Sequence, residues 1–417
     1  SRFRSKVERI NFEVAQKLYC LRRPKGVTPF GNPVLWVCRV NVLDIMPFCP
    51  LSVFVREESM RIFSILVALT VFFGLCAPAG AANGNAPKEI TVGFIYPSKV
   101  GDAGWTYAHD VARQRLDDEP GIATLFVENV HPGGHAERAM ANLIEKGCAI
   151  IVVASFDFEE DTLRVAKKFP NTIFLQCAGR KTAPNVSIFF GRMYQARYLT
   201  GMVAGSMTKT GVIGYVAAMP IPEVIRGINA FALGARSVNP KAQIRVVWTR
   251  EWYDPVGEKE AAKSLIGMGA DIIAQHQDSP GALELARDRG VYSIGNNVNM
   301  ARFAPGLHLA SAVWNWKPFY EDAVDRARKG AWKPSAVWLG METGAVDISP
   351  FGSMVPQDVR GAVLSKREDI VAGRFQIFAG PLTDQQGAVR VPVGTKLTDK
   401  DLQEMDWFVQ GIVGLAQ

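Results

Sequence analysis

Five of the nine tryptophans follow apolar, strand-like runs, and Asp, Asn and Gln side chains are interleaved with them. The five are Trp105, Trp248, Trp252, Trp314 and Trp316. In open α/β sheets a ligand binds beyond the carboxyl ends of the strands, so we expect several of these residues to line one cleft. Aromatic faces combined with Asp and Asn suit a planar, hydrogen-bonding, uncharged ligand. For any single one of the five tryptophans, a place in the core or the hinge explains the residue about as well as a role in ligand binding.

The residue types needed for catalysis or metal binding do not form a recognisable motif. Residues 132–134, Pro-Gly-Gly, separate His131 from His135 and prevent a shared helical face for a metal. The sequence has neither the spacing of a phosphate-binding loop nor a Gly-x-Ser-x-Gly elbow. His276 beside Asp278 has the chemistry of an acid/base pair, but polar residues after a strand more often bind a ligand. We therefore predict a binding protein and no enzyme, with no metal and no cofactor.

Strand-type runs alternate with helix-type segments from Ile90 onward. The runs cover residues 90–96, 123–127, 149–154, 172–176, 211–217, 243–248, 271–275 and 291–295. Asp254-Pro255 and Ser279-Pro280 each place a capping side chain before a proline at the first helical position. This alternation predicts an α/β fold with parallel sheets. The small and polar stretch 202–211 is the predicted crossover between two sheets.

The positive charge of the chain is concentrated at its front. The formal net charge is +7, from 47 Lys+Arg and 40 Asp+Glu, and residues 1–82 hold 11 of the basic and five of the acidic residues. The remaining sequence is therefore almost neutral, and a nucleic-acid partner is not indicated.

The front of the chain has the pattern of a secretion signal. Met60-Arg61 precedes the apolar run 62–75, and residues 77–82 are small. The run is too short to span a bilayer, although a buried helix or a short anchor is the alternative. We predict that residues 1–59 lie upstream of the mature protein and that 60–82 are a signal peptide for the periplasm. Leu75 is bulky before Cys76, which disfavours a lipoprotein anchor.

The run Thr208 to Met219, TKTGVIGYVAAM, resembles the basic membrane protein family of ABC-transporter binding proteins. The resemblance extends from about residue 88 to 346 and includes residues 102–105 (Asp-Ala-Gly-Trp) and Asp254-Pro255. It implies the type I periplasmic-binding-protein fold, with two Rossmann-like lobes of parallel sheet joined by a three-crossover hinge. Lobe 1 would contain residues 88–206 with about 315–346, and lobe 2 residues 207–314 with about 347–417. Characterised members of the family bind purine nucleosides for import.

The resemblance also implies a stacking site. In the family, one aromatic residue after the first strand and another before the Asp-Pro pair stack on the two faces of the purine, and Trp105 and Trp252 occupy these places. Stacking on an aromatic side chain contributes about 1–3 kcal/mol per base. The sequence departs from the family at Thr106, commonly Asn, at Asn297, where an acid is associated with ribose hydroxyls, and at Trp314, where a lysine is found. Loss of the acid and the lysine favours a free, adenine-like nucleobase.

The remaining ligand candidates are polar. Gln277 and Asp278 stand where the family has small residues and are predicted to contact the purine edge; Asp102, Asp157 and Asn229 are further candidates. The predicted protein is a monomeric periplasmic component of an ABC importer that delivers a purine base to a membrane permease. The alternatives are a nucleoside-binding protein of the same family, a receptor module of the same fold, and a periplasmic nucleoside hydrolase that uses His276 and Asp278.

Overall fold

The structure is a computed structural model that describes residues 89–416. The predicted upstream segment and signal peptide lie outside the described residues. The described residues belong to one compact unit, Asn83–Gln417. Among the described helices, none combines the length and the apolar character that a membrane span requires.

The first sheet contains six parallel strands in the order β11-β5-β4-β3-β1-β2. Its strands are β1 (Ile90–Ile95), β2 (Ile122–Val127), β3 (Cys148–Val153), β4 (Ile173–Cys177), β5 (Val186–Gly191) and β11 (Ala336–Leu339). Its helices are α1 (Trp105–Asp117), α2 (Gly134–Glu145), α3 (Glu159–Lys168) and α8 (Lys317–Arg328). The central strand β3 is almost wholly buried because helices cover both faces of the sheet.

The second sheet contains seven strands in the order β12-β10-β9-β8-β6-β7-β15. Its strands are β6 (Val212–Ala217), β7 (Gln243–Trp248), β8 (Ile272–His276), β9 (Tyr292–Gly295), β10 (His308–Trp314), β12 (Val346–Ile348) and β15 (Ile412–Val413). All neighbouring pairs are parallel except β10 and β12, which are antiparallel. Its helices are α4 (Tyr194–Met207), α5 (Pro222–Val238), α6 (Pro255–Gly267) and α7 (Gly281–Asp288).

The chain passes between the two sheets three times, after β5, after β10 and after β11. The first crossover lies at residues 191–193 instead of 202–211, because the later stretch is mostly helical and packs against α5. An added Cβ at Gly205 would lie 2.2 Å from the carbonyl oxygen of Ala235, and one at Gly234, on the facing helix, would lie 2.0 Å from that of Tyr198. The small residues that suggested a loop therefore allow two helix backbones to touch.

The predicted helix starts in the second sheet are close to those observed. Asp254 caps α6 by accepting a hydrogen bond from the Gly257 N–H at 3.0 Å, and Pro255 is the first helical residue. The next helix begins at Gly281, one residue after Pro280, and the Ser279 hydroxyl accepts from the Gly281 N–H at 3.1 Å. These caps fix the loops that precede α6 and α7 at the carboxyl edge of the sheet.

The C-terminal segment wraps around the second sheet. It contains α9 (Gln357–Val371), β13 (Leu382–Thr383), β14 (Val389–Val391) and α10 (Asp399–Gln403). Helix α9 packs against α4, α10 packs against α5, and β15 pairs with β7 at the edge of the sheet.

Candidate ligand-binding site

Asp102 organises the turn that begins α1. Its Oδ1 accepts hydrogen bonds from the Gly104 and Tyr107 N–H groups, at 2.8 and 3.0 Å. Its Oδ2 accepts from the Ser98 hydroxyl at 2.8 Å and from the Thr106 N–H at 3.0 Å. Burial raises the pKa of Asp102, while these hydrogen bonds act in the opposite direction. The carboxylate therefore holds the turn that presents Trp105, and its acceptor positions are used by the protein itself.

Trp105 is the first residue of α1 and is partly exposed. Its indole N–H donates to the carbonyl oxygen of Ala154 at 2.6 Å, which ties it to the end of β3. The ring meets Trp314 edge to face at a centroid distance of 5.7 Å and an angle of 87°. It also contacts the buried ring of His109 at 4.6 Å. The indole is thus fixed between both sheets.

The two lobes touch at Gly104 and Asp278. The Trp105 N–H donates to Asp278 Oδ1 at 3.2 Å across the gap between the sheets. A Cβ added at Gly104 would lie 2.4 Å from both the Cα and the carbonyl oxygen of Asp278. A residue with a side chain does not fit at this position while the lobes are in this arrangement.

Asp278 also anchors a chain of hydrogen bonds inside the second lobe. Asn297 donates through Nδ2 to Asp278 Oδ1 at 2.7 Å and accepts from the Trp314 indole N–H at 2.9 Å. Burial raises the pKa of Asp278 well above its ordinary value, and the negative charge of Asp102 acts in the same direction. Both ends of the Asn297 amide are therefore occupied by protein groups.

Trp314 belongs largely to the hinge. Its ring stacks on Trp316 at 4.6 Å and 15°, and a Cβ added at Gly191 in the first crossover would lie 2.2 Å from it. Only 8% of Trp314 is exposed. Little of its surface is therefore open to a ligand.

Trp252 lies on the loop between β7 and α6 and is partly exposed. Its carbonyl oxygen accepts from the Asp278 N–H at 3.0 Å, and its ring lies 5.9 Å from that of His276. Trp105 and Trp252 are thus both hydrogen-bonded to Asp278 through their backbones. Among the described aromatic contacts, neither of these two indoles touches the other.

Two predicted residues make their described hydrogen bonds outside this cluster. Asn229 is buried, and it donates to the carbonyl oxygen of Trp407 at 2.8 Å and accepts from the Val409 N–H at 3.0 Å. It therefore fastens the C-terminal segment to α5. Asp157 is exposed beyond β3, and its described hydrogen bonds are with Ser155.

Two charged residues at the same edge of the second sheet were missed from the sequence. Glu223, in the first turn of α5, lies 3.1 Å from Nε2 of His276. Arg197 is fully buried and donates to the carbonyl oxygen of Gln275 and to the side chain of Asn296. The signal was present, because Arg197 is the one charged residue in the otherwise uncharged segment Tyr194–Met207.

The structure contains a separate pocket of about 430 Å³ near the crossovers. It is lined by residues of the crossovers and of the C-terminal segment, among them Arg192, Tyr194, Glu342, Phe378 and Asp399. It includes none of the nine predicted site residues, so it is distinct from the tryptophan cluster. In the part of the chain that the structure describes, no three His, Cys, Asp or Glu side chains are arranged to hold a metal ion.

Residues 89–379 match the family model described as ABC transporter substrate-binding protein PnrA-like, of the Bmp family. The chain is 41% identical over 335 residues to a purine-binding protein of Brucella abortus, covering 80% of this chain and 95% of that relative. It is 38% identical over 337 residues to a putative ABC transporter glucose-binding protein of Haloferax volcanii, covering 80% and 83%. A solved solute-binding protein of Conexibacter woesei has a TM-score of 0.62 at 24% identity, covering 69% of this chain and 98% of that one.

These similarities confirm the predicted family and the type I binding-protein fold with its two parallel sheets and three crossovers. They also confirm a solute-binding protein in place of the hydrolase alternative, because the family and the relatives are transporter components. The chain belongs to the Bmp family of PnrA-like ABC-transporter substrate-binding proteins.

Proposed function

We propose that this protein captures a free, adenine-like purine base between Trp105 and Trp252 and delivers it to the permease of an ABC importer. The observation that carries the proposal is the position of Asp278. Its carboxylate accepts from the backbone of Trp105, and its N–H donates to the backbone of Trp252. A flat ligand between the two indoles would therefore touch both lobes and stabilise their closed arrangement.

The purine class is supported by the relative of Brucella abortus, whose name describes a purine-binding protein. The sugar alternative comes from the Haloferax volcanii relative, whose name describes glucose binding. Indole faces also stack on sugars, so the two ligand classes must be separated by titration.

A free base, as opposed to a nucleoside, is supported by the polarity of the site. Asn297 stands in place of the family's acid; its Nδ2 donates to Asp278 and its Oδ1 accepts from Trp314. Trp314 stands in place of the family's lysine, and its indole N–H donates to Asn297. The single N–H of Trp314 is thereby used, and Asn297 is uncharged and already bound at both ends of its amide, so a ribose hydroxyl gains less here than from an acid and a lysine. The competing possibility is a nucleoside site, because the largely buried Trp314 excludes little volume.

The proposed cellular location and partners of the protein are those expected for a substrate-binding protein of an ABC importer. Substrate-binding proteins of ABC importers bind small ligands outside the cytoplasmic membrane and deliver them to a permease. We extend this to a periplasmic monomer that docks in the closed form, with no nucleic-acid partner.

The test is calorimetric titration with adenine, guanine, hypoxanthine, their nucleosides and glucose. We expect each base to bind more tightly than its nucleoside, and glucose not to bind. Tighter binding of every nucleoside contradicts the choice of a free base. Binding of glucose alone contradicts the whole proposal.

A second titration uses the double variant Asn297→Asp, Trp314→Lys, which restores the family's polar pair. Its preference should shift toward the nucleoside. An unchanged ratio of base to nucleoside affinity would show that these two positions do not set the preference.

A further inference from the structure

Two buried polar atoms next to Trp252 have no hydrogen-bond partner among residues 89–416. They are Oε1 of Gln277 and Nδ1 of His276. Both residues are at the carboxyl end of β8, where His276 is the last strand residue and Gln277 follows it. Buried polar atoms are nearly always hydrogen-bonded in native proteins, so these two atoms point to a group that the bound ligand supplies.

The amide of Gln277 has a defined orientation. Its Nε2 lies 2.8 Å from the hydroxyl oxygen of Thr249. That hydroxyl has a single hydrogen, which it gives to the carbonyl oxygen of Glu251 at 3.0 Å, so its oxygen accepts from the amide. Nε2 is therefore the end that faces Thr249, and the unpartnered end of Gln277 is the carbonyl oxygen, an acceptor.

The ring of His276 is oriented in the same way by a charged partner. Its Nε2 lies 3.1 Å from Oε2 of Glu223. Burial acts to raise the pKa of Glu223, but the charge and hydrogen bond of His276, together with Arg226 and Arg197, lower it to about 2. A carboxylate only accepts, so Nε2 carries a hydrogen, and Nδ1 is the ring nitrogen left without a partner.

Both residues are adjacent to the proposed stacking face. The His276 ring is 5.9 Å from the Trp252 indole, and Thr249, which holds Gln277, begins the loop that carries this tryptophan. The next residue, Asp278, donates its N–H to the Trp252 carbonyl oxygen. The edge of a ring stacked on Trp252 is thus the nearest source of a hydrogen-bond donor for Oε1 of Gln277.

We propose that Oε1 of Gln277 accepts a hydrogen bond from the amino group of the ligand, with His276 at the same edge, so that the site selects amino-substituted purines over purines that lack the group. This inference rests on the proposed function and names the substrate class of the same site. A site built to hydrogen-bond a group rejects the analogue without it, since its own buried atoms are then left unpaired.

The experiment uses two pairs of ligands that each differ by one amino group, adenine with purine and guanine with hypoxanthine. The full chain should bind the amino member of at least one pair about 5- to 100-fold more tightly, the range expected for one buried hydrogen bond. Gln277→Leu should reduce that ratio to within about twofold, and Gln277→Glu, which keeps an acceptor oxygen, should preserve it. Gln243→Leu is the matched control, because Gln243 is exposed at the far end of β7.

Two results would overturn the inference: equal affinity for both members of each pair, or an unchanged ratio in a folded Gln277→Leu protein. Gln277→Ala gives an independent reading if the leucine variant does not fold, and it should also reduce the ratio, whereas the exposed Gln243→Ala should not. Failure of the proposed function looks different, because then none of the four bases binds the wild-type protein.

Discussion

Replacing Gly104 by alanine adds a methyl group where the backbones of the two lobes meet. The new Cβ would lie 2.4 Å from the Cα and the carbonyl oxygen of Asp278, whereas non-bonded carbon atoms pack at about 3.5–4.0 Å. The lobes must therefore separate by roughly 1 Å or more at this point. The hydrogen bond from the Trp105 N–H to Asp278 Oδ1, already 3.2 Å long, is then broken.

The loss of binding free energy in Gly104→Ala can be calculated from this one hydrogen bond. A buried N–H left without a partner costs about 1–3 kcal/mol. If the ligand is bound only by the closed form, this loss appears in the affinity, and we expect Gly104→Ala to weaken purine binding by about 5- to 150-fold. The fold of each lobe should be retained, because the clash is between the lobes.

Calorimetry with adenine measures the loss, and small-angle scattering with and without the ligand reports closure. The control is Gly101→Ala in the same loop, where an added Cβ meets nothing within 4 Å. Gly101→Ala should bind and close like the wild type. Wild-type affinity in a folded Gly104→Ala protein would refute the contact between Gly104 and Asp278 as a feature of the bound state.

Three further predictions concern stacking, pH and processing. Trp105→Ala and Trp252→Ala should each weaken binding by about 1–3 kcal/mol. Tyr253→Ala should not, because its side chain is 51% exposed in the same loop as Trp252. Unchanged calorimetric affinity in both tryptophan variants would exclude the stacking of a purine between the two indoles. A raised pKa means that the folded protein holds the Asp278 proton more tightly than the unfolded chain, so this stabilisation is complete below about pH 4 and is lost as the pH rises through the raised pKa. Asp278→Asn should therefore gain in melting temperature relative to the wild type between pH 4 and 8, and a gap that widens on acidification would contradict this. Amino-terminal sequencing of the secreted protein should find its first residue within 80–83, and recovery of residues 1–59 would disprove the signal peptide.

The sequence predicted the sheets and most helix starts because these depend on local patterns. Continuous apolar runs mark buried parallel strands, and Asp254-Pro255 places a capping side chain before a proline at the first helical position. The first crossover was misplaced because the small residues of 202–211 have the composition of a loop, but Gly205 among them serves the close packing of α4 on α5. Only the tertiary structure shows whether small residues form a loop or allow two helices to pack closely.

The candidate site was predictable in part for a related reason. The rule that ligands bind beyond strand ends selected Trp105, Trp252, Gln277 and Asp278, and the structure places Trp105 across the gap between the sheets from the other three. Sequence alone does not separate a polar residue that faces a ligand from one that holds the chain. Asn229 has the second role, because both ends of its amide bind the C-terminal backbone, more than 170 residues away in sequence.

The central claim is that a purine base is held between Trp105 and Trp252, and the ligand retained by the protein itself tests it most directly. Protein purified from its own cells without added ligand is denatured, and the released small molecules are identified and counted by mass spectrometry. The predicted result is a purine base at up to one equivalent per chain, strongly reduced in the Trp252→Ala protein and retained in Tyr253→Ala. A sugar at similar occupancy with no purine, or a purine retained equally by all three proteins, would contradict the claim.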